Sequence, residues 1–137
     1  MRLENDGVIM LVLNRRFIGG LLKKYIDECP GMSAFTEYDY NNAIFNAAKN
    51  KPDISLVEIP ERHGTPAADT LRLCREIKEA SHMCKIILLC PEIDEISVRE
   101  CVRAKQQGDI EDFLFYDSTT QYLISKLEAM QSAERKN

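Results

Sequence analysis

No apolar stretch in this 137-residue sequence runs longer than the six residues from Val8 to Leu13, far short of the roughly 20 that a membrane-spanning helix needs. Basic charge is not in excess either. Eighteen Lys and Arg stand against 22 Asp and Glu, a net charge of −4, which argues against sequence-independent nucleic-acid binding, where phosphates call for a basic surface. There is no Cys-x-x-Cys, and the two histidines stand apart from any thiol pair, so no zinc site is expected. The five cysteines, Cys29, Cys74, Cys84, Cys90 and Cys101, are odd in number and lack a repeated short spacing. They do not form a disulfide framework and read as small buried hydrophobes in a reducing compartment. The first seven residues are polar and acidic, unlike a signal peptide, and the cytoplasm is the expected location. Low-complexity segments, solenoid repeats and interior linkers are also missing.

What remains is globular. Apolar residues make up 45% of the chain and charged residues 29%, the balance of one folded domain. Short apolar runs alternate with helical patterns. Residues 8–13 form a continuous run suited to a strand buried on both faces. Ile18, Leu21, Leu22, Tyr25, Ile26 and Cys29 then recur at helical spacing until Pro30-Gly31 stops them. The alternation continues with a weaker strand at 32–36, a helix through Ala43, Ile44, Ala47 and Ala48, and a strand at 54–59 closed by Pro60. Leu71, Cys74 and Ile77 mark a third helix, with Thr65 or Asp69 near its start. A strand at 85–90, a helix at 96–105, a strand at 113–116 and a helix through Tyr122, Leu123, Leu127 and Met130 complete the series. Five strands alternating with five helices predict a parallel sheet covered on both faces, in the order 2-1-3-4-5 of the flavodoxin-like doubly wound fold. Residues 1–7 read as an N-terminal extension, 8–131 as the domain, and 132–137 as a polar tail or the start of a linker.

In such folds ligands bind beyond the carboxyl ends of the strands, so the strand ends are the residues to read. Three segments there resemble the receiver domain of two-component response regulators, in the right order. Pro52-Asp53-Ile54-Ser55-Leu56-Val57-Glu58-Ile59-Pro60 is similar to the segment that carries the phosphorylated aspartate. Ile86-Ile87-Leu88-Leu89-Cys90 resembles the strand ending in a Ser or Thr. Gly108-Asp109-Ile110-Glu111-Asp112-Phe113-Leu114-Phe115-Tyr116 is similar to the segment that ends in Lys-Pro. Glu58 lies 44 residues after Asn14, as the family's spacing places its phosphoacceptor after its acidic pair.

The resemblance assigns roles that these residues fill poorly. Leu13 and Asn14 stand where the family has two adjacent metal-binding acids, followed by Arg15 and Arg16. Leu13 offers no ligand and Asn14 one neutral oxygen, against a magnesium ion that wants carboxylates. Glu58 takes the phosphoacceptor position with a carboxylate one methylene further out, and in-line transfer is sensitive to about 1 Å of misplacement. Cys90 takes the switch position, where it is only a weak donor, and Phe113 takes the aromatic switch position. Tyr116 replaces the phosphoryl-binding lysine. Asp117 replaces the proline after it, so a cis bond is not expected there.

The resemblance therefore implies a pseudo-receiver: no enzyme, no catalytic residue, no magnesium or other cofactor, and signalling by protein contact. Its partner would be a histidine kinase, a regulator protein or a second copy of itself. Contact would run through the face that the family uses for output, here residues 96–105, 113–116 and 120–130, with neither membrane nor direct nucleic-acid contact by this domain. The alternative is a working phosphoacceptor that uses Glu58 or a nearby acid with a weak metal site, at the head of a DNA-binding regulator. Within the first reading, Arg15 or Arg16 could pair with Glu58 and lock the rim without a metal, and Glu58 itself is expected to be a partly solvated strand-end carboxylate. Lys23 and Lys24 are expected to solvate the flank of the first helix. His63 lies in the loop after the third strand, and with Cys90 it forms a Cys/His couple lacking a third orienting group. The bulky Asn14-Arg15-Arg16-Phe17 turn excludes a Gly-rich phosphate loop.

Overall fold

The computed structural model describes residues 7–135. Five strands, β1 (Gly7–Val12), β2 (Met32–Glu37), β3 (Ile54–Glu58), β4 (Lys85–Cys90) and β5 (Asp112–Phe115), form one sheet. All pair in parallel, in the order β2-β1-β3-β4-β5. The helices are α1 (Arg16–Glu28), α2 (Ala43–Asn50), α3 (Pro66–Ala80), α4 (Glu95–Gln107) and α5 (Thr120–Arg135). The architecture is the expected one. Strand ends differ by about a residue, as hydrogen-bond ladders and apolar runs end at different atoms. Two differences are larger. A single 3₁₀ turn, Tyr40–Asn42, precedes α2, with Asp39 accepting a hydrogen bond from the Asn41 N–H. And α5 continues through Arg135, so residues 132–135 extend the last helix instead of beginning a tail; residues 1–6 of the expected extension lie outside the described residues.

Local chemistry explains where helices begin and end. Asp94 caps α4 by accepting from the backbone N–H groups of Ile96 and Ser97 and from the Ser97 hydroxyl at 2.6 Å, and Gly108 ends it at φ +80°, a left-handed turn that only glycine adopts without penalty. Pro66 opens α3 at the first helical position, where its missing N–H costs nothing. Thr65 precedes it without a capping hydrogen bond, and Asp69, the other residue expected near this start, instead binds Arg62 and Arg72.

Each strand splits its side chains between two cores. Ile9, Leu11, Leu13, Leu56, Ile87 and Leu89 pack with Leu22 and Ile26 of α1 and Leu123 and Leu127 of α5. Met10, Val12, Val57, Ile86, Leu88 and Cys90 pack with Ala43, Ala47, Ala67, Leu71, Cys74, Ile77, Cys101 and Ala104 on α2, α3 and α4. Because every pair of neighbouring strands is parallel, all five carboxyl ends reach one rim.

Candidate functional site

Glu58 is the last residue of β3, a central strand, and its side chain is only 1% exposed. This corrects the expectation of a partly solvated carboxylate. Strands on both sides and the turn after β1 close over the group, and a buried charge persists only with partners. Glu58 has three donors. Its Oε1 accepts from the backbone N–H groups of Asn14 at 2.8 Å and Arg15 at 3.1 Å, and its Oε2 accepts from Arg15 Nε at 2.5 Å. Of the two arginines offered by the sequence, the structure selects Arg15. Its side chain, 37% exposed, lies with Cζ 4.2 Å from the centroid of the Tyr116 ring, a cation–π contact. Arg16 turns to the neighbouring aromatic instead, with Cζ 4.5 Å from the Tyr38 ring centroid.

Two tyrosines fix the chain where it leaves β3. The Tyr40 hydroxyl donates to the Glu58 carbonyl at 2.5 Å, and the Tyr116 hydroxyl donates to the carbonyl of Ile59. Both phenols are held well above their ordinary value of 10.0, first by burial and then by the negative charge of Glu58. Tyr116, expected at the position of a phosphoryl-binding lysine, is thus a neutral donor aimed at backbone. Tyr40 escaped the sequence reading because a lone 3₁₀ turn leaves no periodic signal; the closely spaced Tyr38 and Tyr40 were its only trace.

The remaining predicted residues divide. Leu13 is buried in the core beneath α1 and α5, while Asn14 is exposed and reaches Glu58 only through its backbone. Cys90 is buried, with Sγ 3.6 Å from the Pro91 carbonyl, and it pairs with Cys101, whose thiol is pushed up by that hydrogen bond and by burial. Phe113 packs edge-on against Phe115, ring centroids 5.8 Å apart at 84°. Asp117 is exposed and meets Glu92, whose carboxyl it raises by hydrogen bonding and like charge; the Tyr116–Asp117 bond is trans. His63 is exposed on the loop after β3, whereas the Cys90 thiol is buried against the Pro91 carbonyl, so the Cys/His couple is not assembled. On the face expected to carry output, Asp112 takes Lys105 of α4 at 2.9 Å and Lys126 of α5. Burial opposes its ionisation, but the hydrogen bonds from Lys126 and Lys105 prevail and hold the carboxyl below its usual value.

Solved structures with the same arrangement are numerous. A two-component response regulator from Clostridium difficile superposes with a TM-score of 0.75 at 22% identity, over 96% of this chain and 99% of that one. A response regulator from Thermotoga maritima gives 0.73 at 20% identity, over 93% and 98%. The fold is that of response regulator receiver domains. The receiver fold also recurs in a structure described as an adenylate cyclase from Rhodopirellula baltica, with a TM-score of 0.78 at 15% identity over 93% of this chain and 88% of that one. No protein-family model matches the sequence, and no curated protein matches it.

Against the magnesium ion that the receiver fold implies, the donor set does not fit. Leu13 supplies no oxygen, both Glu58 oxygens already accept hydrogen bonds, and the charge facing them is a guanidinium. Among the described residues no group of three or more His, Cys, Asp or Glu is placed to hold a metal ion, and no helix is long and apolar enough to cross a membrane.

Proposed function

We propose that this chain is a receiver-type signalling module that acts by protein contact without aspartyl phosphorylation, residues 8–131 forming the module. One observation carries the reading: the carboxylate at the phosphoacceptor position is buried and bound by Asn14 N–H, Arg15 N–H and Arg15 Nε. In a phosphorylatable pocket the carboxylate must be free to attack, and a divalent cation must offset the incoming charge. Here the offsetting charge belongs to the chain. Arg15 is stacked on Tyr116, and its departure would leave the buried Glu58 carboxylate without its charged partner. The rim is thus held in one arrangement. Its partners are read as a histidine kinase, another regulator or a second copy, in a cytoplasmic setting.

Incubating the protein with acetyl phosphate and magnesium, followed by intact mass measurement, tests this. The mass is expected to stay unchanged. A gain of one phosphoryl group that disappears in Glu58→Gln would overturn the proposal in favour of a working phosphoacceptor.

A further inference from the structure

One cavity lies away from the rim. It is a trough of about 580 Å³ between α1 and α5, where Leu21, Tyr25 and Ile124 lie beside the polar Thr120, Gln121 and Ser125, with Glu28, Cys29 and Glu128 toward one end. Both helices start at the rim, so the two carboxylates lie toward the opposite end of the molecule. Tyr25 is 42% exposed, and Leu21 and Ile124 are half-buried. These apolar side chains sit on the flank that the sequence assigned to solvated lysines.

That end of the trough carries two carboxylates. Among the described residues, neither Glu28 nor Glu128 takes part in an ion pair. Lys23 is committed to Asp27 at 2.6 Å and to the Ala34 carbonyl at 2.9 Å. Lys24, one turn before Glu28, makes no ion pair with it. Glu28 is also the last residue of α1, whose final turn has no basic side chain, so the helix's terminal carbonyls add to the same negative end. The Cys29 thiol registers this field: it is pushed up by burial, then by Glu128 and Glu28.

A trough between two helices, partly apolar and with two carboxylates at one end that make no ion pair among the described residues, matches one kind of occupant. From Leu21 to Glu28 a helix rises about 10 Å, two turns, the span over which an amphipathic helix lays apolar side chains at i, i+3 or i+4, and i+7. We propose that the α1/α5 trough docks a basic amphipathic helix of a partner protein, with its apolar stripe on Leu21, Tyr25 and Ile124 and a Lys or Arg between Glu28 and Glu128. This rests on the reading of the chain as a contact module, but it uses the side of α5 that meets α1 rather than the side that meets α4 and β5.

Cys29 makes the test direct, since the other four cysteines are buried. The probe is a synthetic Leu/Lys peptide with amphipathic helical spacing, added to the full chain. Alkylation of Cys29 is expected to slow about tenfold at saturation, and backbone amide shifts are expected to cluster on α1 and α5. The double variant Glu28→Gln/Glu128→Gln is expected to weaken binding about tenfold, while Glu79→Gln/Glu95→Gln, with the same change in net charge, leaves it intact. The proposal is overturned if the peptide leaves Cys29 unprotected, if its shifts fall on another face, if both double variants lose equally, or if a Leu/Glu peptide protects as well. Protection that rises with protein concentration alone would assign the trough to a second copy and also overturn it. None of these outcomes bears on the acetyl phosphate experiment, so the two readings fail separately.

Discussion

Arg15 and Glu58, 43 positions apart, meet through both the backbone and the side chain of the arginine, so that one residue supplies two of the three hydrogen bonds on the buried carboxylate. The guanidinium is simultaneously stacked on Tyr116. Sheet end, first helix and fifth strand are therefore joined at one ion pair.

Arg15→Ala is expected to destabilise the fold by about 1–3 kcal/mol, the range for a hydrogen bond to a charged group, discounted because the arginine is 37% exposed. Glu58→Gln should cost less than this, because it removes the buried charge together with its pairing. The double variant should cost less than the sum of the two, with the coupling read from urea midpoints in a double-mutant cycle. Strict additivity would show that the pair does not hold the rim.

Alkaline titration should find Tyr40 and Tyr116 silent while the fold holds. Tyr40 and Tyr116 have phenols raised above 10.0 by burial and by Glu58. A raised folded value adds stability that is fully present below the unfolded value of about 10 and is lost as pH rises past it. A late stage of phenolate absorbance, coincident with unfolding, is expected from these two residues. In Tyr40→Phe the late stage should lose half its amplitude.

The acid side is governed in part by Asp112. Its carboxyl is held below 3.8 in the fold by Lys126 and Lys105 in spite of burial, so its contribution is present above the unfolded value and fades as pH falls through the lower folded one. Lys126 has the opposite sense: raised above 10.5 by Asp112, it contributes below that value and loses its effect as pH climbs beyond it. Urea midpoints of Asp112→Asn should therefore vary less with pH at both extremes than those of the parent protein.

Gly108→Ala isolates a purely conformational cost. Nothing lies within 4 Å of the added methyl, yet the backbone stands at φ +80°. The expected loss is about 1–2 kcal/mol, with Gly108→Asn less harmful, since asparagine tolerates the left-handed region. Equal loss for the two variants would point to a contact rather than to the backbone.

The sheet was legible because parallel strands buried on both faces are written as unbroken apolar runs, as in Ile86 to Cys90. The helices were legible through residues such as Leu22 and Ile26, which recur on one face. The rim was legible only as a set of positions. Leu13, Asn14, Glu58 and Tyr116 could be read as strand-end residues, with roles given only by the resemblance, but which arginine would face Glu58 depends on the extended backbone of Arg15 just before α1, and periodicity carries no record of that angle. Glu58 was misread as partly solvated for a related reason: burial of a strand-end charge is decided by loops arriving from elsewhere in the chain. Tyr40 contributes through a single hydroxyl on a one-turn element, too short to leave a pattern.

The two faces of the sheet are filled with side chains of different girth. Toward α1 and α5 the helices bring Leu22, Ile26, Leu123 and Leu127; toward α2, α3 and α4 they bring mainly Ala43, Ala47, Ala67, Cys74, Cys101 and Ala104. Small knobs let helix backbones ride close to the strands, leaving little slack for an added methylene. Substitutions among Leu, Ile and Met can be traded on the first face, whereas on the second an enlarged residue must lift a whole helix. Variation tolerated by this protein should therefore be lopsided, accumulating beneath α1 and α5 while the opposite layer stays nearly frozen.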